Sequence, residues 1–78
     1  MTPGQLIKKH RTKMSLTQLD LAKALGFEIP QFVSIIENGH SSLPLSLCKK
    51  INAALEISPK DMEKALMKEY QKKIKEYL

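Results

Sequence analysis

Apolar residues along this chain recur mainly at intervals of three and four, and no alternation of period two extends beyond five residues, so the pattern predicts helices and no strands. Punctuation divides the pattern into five helices. Thr2-Pro3-Gly4-Gln5 places a capping threonine before a proline at the first helical position and a glutamine at the third. It opens a helix to about Thr12, with Leu6 and Ile7 facing the core. Thr17-Gln18-Leu19-Asp20 is a second capping box, whose helix buries Leu21, Ala22 and Leu25 and ends with Gly26 at its C′ position. The third helix begins at Pro30. Ile29, Phe32, Val33 and Ile36 share its inward face, while Gln31, Ser34, Ile35 and Asn38 take the same spacing on the other side. Asn38-Gly39 terminates it, since both residues tolerate positive φ. After a short loop, Pro44 starts a fourth helix carrying Leu45, Cys48, Ile51 and Leu55 inward. Ser58-Pro59-Lys60-Asp61 is a third capping box, and nothing interrupts the last helix it opens, over 59–77. Met62, Leu66, Tyr70, Ile74 and Tyr77 form one stripe along that helix. Its first half covers the core, and its second half reaches beyond a compact domain.

The expected fold is therefore all-α, five helices in one domain over 1–78, with an extended C-terminal helix. A chain of 78 residues without tryptophan must build its core from Leu, Ile, Ala and Met. One cysteine, Cys48, excludes an intramolecular disulfide and fits a reducing cytoplasm, the expected location. Apolar runs of at most three residues exclude a signal-peptide core and a membrane-spanning helix. Two histidines and one cysteine, distant in sequence, have no metal-ligand spacing, and no phosphate loop or nucleophile elbow is present. Neither an enzyme, nor a cofactor, nor a bound metal is expected.

Net charge is +5, which suits an anionic partner. Its placement is uneven. Lys8, Lys9, Arg11 and Lys13 crowd one end and six lysines lie in the last twenty residues, but no Lys or Arg occurs between Lys23 and Lys49.

The segment LTQLDLAKALGFEIPQFVSIIENG, from Leu16 to Gly39, pairs two short amphipathic helices across a glycine turn. Ala22 allows a close crossing, Gly26 makes the turn, and Leu21 and Leu25 face Val33 and Ile36. With Leu16-Thr17-Gln18 at one end and Glu37-Asn38-Gly39 at the other, it resembles the lambda-repressor/Cro-like (XRE-type) helix-turn-helix family of DNA-binding regulators, over roughly residues 5–62. The helix-turn-helix proper spans 17–37.

The resemblance implies a role for each matching residue. The second helix of the pair would enter the major groove of double-stranded DNA while the first braces on the backbone. Gln31, Ser34 and Ile35 would read bases: Gln31 toward adenine, Ser34 toward a base or phosphate, Ile35 toward a thymine methyl or a partner protein. Gln18, Asn38, His40, Ser41 and Ser42 would hold phosphates, His40 alternatively being a solvated loop residue. Relatives cap the reading helix with a serine; here Ile29 holds that place, so Glu28 caps it instead or its start is frayed. Arg11 and Glu37 match a buried ion pair beneath the motif. Leu19 replaces a usual acidic residue and is either exposed or covered by a partner. Family members usually bind as twofold dimers, and Tyr70, Ile74 and Tyr77 are the expected homodimer seam, the alternatives being a surface for a toxin or another protein, or an unpartnered amphipathic tail frayed at Leu78. The implied function is a transcriptional repressor on a palindromic operator; the alternative is a protein-interaction module or the antitoxin of a toxin pair. Flanking lysines Lys8, Lys9, Lys13, Lys23 and Lys49 would supply general attraction.

Overall fold

A computed structural model describes all 78 residues, as helices α1 (Pro3–Lys13), α2 (Gln18–Ala24), α3 (Gln31–Glu37), α4 (Cys48–Leu55) and α5 (Pro59–Tyr77), without strands. Capping boxes start α1 and α2. Thr2 and Thr17 side chains accept from the N–H groups of Gln5 and Asp20, whose own side chains accept in return. At α5 only half of the box forms: Ser58 Oγ accepts from the Asp61 N–H, without the reciprocal bond.

Thirteen apolar residues make the core, with contributions from every helix. Leu21, Ile51, Leu55 and Met62 are the largest side chains wholly enclosed. Burying them removes about 1.5–3 kcal/mol worth of apolar surface each from water, which drives collapse of so short a chain. Helix α3 packs on both α1 and α2, and α4 and α5 close the far side against α1. Ala22 is wholly buried where α2 and α3 meet. The other close approach is at Gly4: a Cβ there would lie 2.3 Å from the Ile36 carbonyl oxygen, so α1 starts directly against the end of α3.

Two expected core residues lie outside. Ile29 is 56% exposed because α3 begins only at Gln31; Pro30 is its cap, so Ile29 sits in the preceding loop and the helical spacing does not reach it. Leu45 is 73% exposed because Pro44 is extended and a 3₁₀ turn over Leu45–Leu47 precedes α4, shifting the helical phase. Leu43 and Leu47 pack on the core instead. Nor does Glu28 cap α3, whose start has no side-chain bond; a stack of Phe27 on Phe32, rings 4.6 Å apart, fixes the approach to it.

Candidate nucleic-acid interface

Three buried side chains of α3, Val33, Ile36 and Glu37, decide how it is held. Glu37 accepts from Arg11 twice, Nε to Oε2 at 2.7 Å and Nη2 to Oε1 at 3.0 Å, in the fork geometry that suits a guanidinium. The Glu37 side chain is 1% exposed. Nη1 of Arg11 also donates to the Leu16 carbonyl at 2.8 Å, so one side chain ties the loop before α2 to the end of α3. The bonds to Glu37 hold the guanidinium pKa above its ordinary value against the opposing effect of burial, so Arg11 stays charged.

Gln18 joins the same cluster: its Nε2 donates to Glu37 Oε1 at 3.2 Å. Its second amide hydrogen and its carbonyl oxygen remain for a ligand. The backbone N–H of Thr17, and secondarily the Thr17 side chain, lower the Asp20 pKa, which keeps the α2 cap ionised.

With its inner side held, α3 turns Gln31, Ile35 and Asn38 outward, all exposed, with Ser34 half-buried between them. Asn38 Nδ2 donates to Ser34 Oγ at 3.2 Å, leaving the serine hydroxyl hydrogen available. The helix ends on Gly39 at φ 75°, where Gly39 and His40 N–H groups bond back to Ile36 and Ile35. Those two groups are thereby unavailable to a phosphate. Ser41 and Ser42 N–H groups have no such bond. The loop side chains His40 and Ser41 are exposed, whereas Ser42 Oγ accepts from Lys73 Nζ of α5. The Lys8, Lys9, Lys13, Lys23 and Lys49 side chains are exposed.

Tyr70, Ile74 and Tyr77 lie on the outer half of α5, at 63%, 39% and 89% exposure. Tyr70 borders a groove of about 580 Å³ between α5 and the segment leading into α4, with Leu43, Leu45, Cys48, Leu66 and Met67 on its walls. Burial raises the Cys48 thiol pKa, which disfavours the reactive thiolate. No helix is long and apolar enough to cross a membrane.

The Gln18–Glu37 and Ser42–Lys73 bonds and the Phe27–Phe32 stack have no counterpart in the sequence reading. All three join residues on different elements, beyond what periodicity reports. Gly4 is the one omission with a local signal, a glycine inside a helical pattern.

A helix-turn-helix family model matches residues 7–62. No curated protein and no solved structure matches the chain. The matched region covers more than half of the chain, from the middle of α1 into the start of α5, and this protein therefore belongs to the Cro/C1-type (XRE) helix-turn-helix family of DNA-binding transcription regulators.

Proposed function

We propose that this protein is a sequence-specific repressor without enzymatic activity, which occupies a palindromic operator as a homodimer. One observation carries the reading: α3 is fixed from behind by Val33, Ile36 and the Arg11–Glu37 pair while Gln31, Ile35 and Asn38 face solvent along one edge. Gln31 reads adenine through its amide, and Ser34 and Ile35 read the neighbouring step. Gln18, Asn38, His40, Ser41 and Ser42 orient the helix on phosphates. In this scheme Gln18 is well placed, because its bond to Glu37 couples the brace helix to the reader.

A second reading, a partner-binding module or antitoxin, draws on the groove beside α5 and its exposed Leu45, Met67 and Tyr70. Selection from random duplexes separates the two. The repressor reading expects enrichment of a palindrome with half-sites about 34 Å apart. It also expects Gln31→Ala to lose about 1–3 kcal/mol of preference at one position per half-site. An enriched lone half-site contradicts the homodimer, and no duplex retained at low salt contradicts DNA binding itself.

A further inference from the structure

The loop after α3 follows a helix C-terminus, where aligned carbonyls carry about half a negative charge. No Lys or Arg lies within residues 24–48 to offset it. The N–H groups of Gly39 and His40 are engaged in the helix cap. From its own segment, then, a phosphate at this loop would meet the Ser41 and Ser42 N–H groups and the side chains of His40, Ser41 and Ser42, with no Lys or Arg among them, beside an unfavourable helix end.

The fold brings a cation to that place from 31 positions away. Lys73 of α5 donates to Ser42 Oγ, and Lys72 and Lys73 share with Ile36 and Gly39 the walls of a concavity beside the end of α3. Glu69 and Glu76 border the same concavity, yet neither makes an ion pair within 4.0 Å, the Arg11–Glu37 pair being the one salt bridge of the molecule. An ammonium has three donors, so a bond to Ser42 leaves two for a ligand.

We propose that Lys73 is a phosphate-binding residue of the DNA interface, completing from α5 the clamp that Ser41 and Ser42 begin. The proposal rests on the DNA-binding reading above and adds to it the charge that the reader segment lacks. Lys73 acts with its neighbours on one phosphate, and the hydroxyl of Ser42 holds the ammonium toward it.

The test measures association with a mixed-sequence duplex by fluorescence anisotropy as salt is raised from about 0.05 to about 0.2 M. Lys73→Gln keeps a donor for Ser42 but removes the charge. It is expected to lower the slope of log affinity against log salt by about 0.9, so that its deficit is about three to four times larger at the low-salt end. Lys73→Arg should keep the parent slope. Lys60→Gln, in the first turn of α5 and about 20 Å away along the helix, should leave the slope unchanged. A parent slope for Lys73→Gln overturns the proposal, as does a loss of stability with the slope unmoved, which would make Lys73 only a tie between α5 and the loop. Acylation of the parent protein gives an answer that needs no variant: duplex should protect Lys73 and not Lys60, and equal labelling of both overturns the proposal. If the parent binds no duplex at low salt, the DNA-binding reading falls as well; if it binds and only the Lys73 results fail, this proposal falls alone.

Discussion

Glu37 receives three N–H donors from two other segments, Arg11 and Gln18, and is the most enclosed charged group of the interface. A carboxylate so placed is stable only while its partner stays. Arg11→Ala is expected to cost about 3–5 kcal/mol, comparable with the roughly 3–5 kcal/mol that a core of this size supplies. Circular dichroism should find the variant largely unfolded at room temperature; a melting curve within about one degree of the parent would contradict the pair's structural weight. No periodicity links residues 26 positions apart, and the family resemblance alone pointed to this pairing. Gly4 was legible only as part of a cap, although its missing side chain is what lets α1 meet the Ile36 carbonyl.

Helices α1, α2, α3 and α4 end alike. One residue turns to positive φ, the residue after the cap in α1, α2 and α3 and the cap itself in α4, and the next N–H bonds back five residues: Leu16 to Arg11, Phe27 to Ala22, His40 to Ile35 and Ile57 to Asn52. Two of these turns are made by Gly26 and Gly39, but the other two fall on Ser15 and Glu56, at φ 58° and 54°. A residue with a Cβ is strained there by about 1–2 kcal/mol. Once the roughly 0.5–1 kcal/mol of entropy that glycine loses is subtracted, Ser15→Gly and Glu56→Gly should each stabilise the fold by up to about 1 kcal/mol, raising Tm by up to several degrees. An unchanged or lowered Tm for both would contradict this. The same contrast explains which boundaries the sequence announced. Gly26, Gly39 and the Thr2 and Thr17 caps are local chemistry, readable one residue at a time. Ile29 and Leu45 were misplaced because the helical phase was carried back to Ile29 and to Pro44, ahead of the residues where α3 and α4 begin.

Across the whole molecule, cations and reading edge come from separate parts of the chain, and folding is what joins them. The molecule measures 38 × 24 × 21 Å, its length matching a 19-residue α5 of about 28 Å with the layer beneath it. The stripe on α5 grades from buried Met62 through half-buried Leu66 to exposed Tyr70 and Tyr77, as its length against a small core required. What the sequence could not supply was the neighbour of that outer half, since Lys73 meets Ser42 only through the packing of α5 across α1 and α4. The central claim, that the outward edge of α3 reads a duplex, is tested most directly by amide NMR during titration with double-stranded DNA at low salt. Shifts should concentrate at Gln18, across Gln31 to Asn38, and at Ser41 and Ser42. Shifts confined to Leu45, Met67, Tyr70 and Ile74, with the α3 amides unmoved, would contradict it.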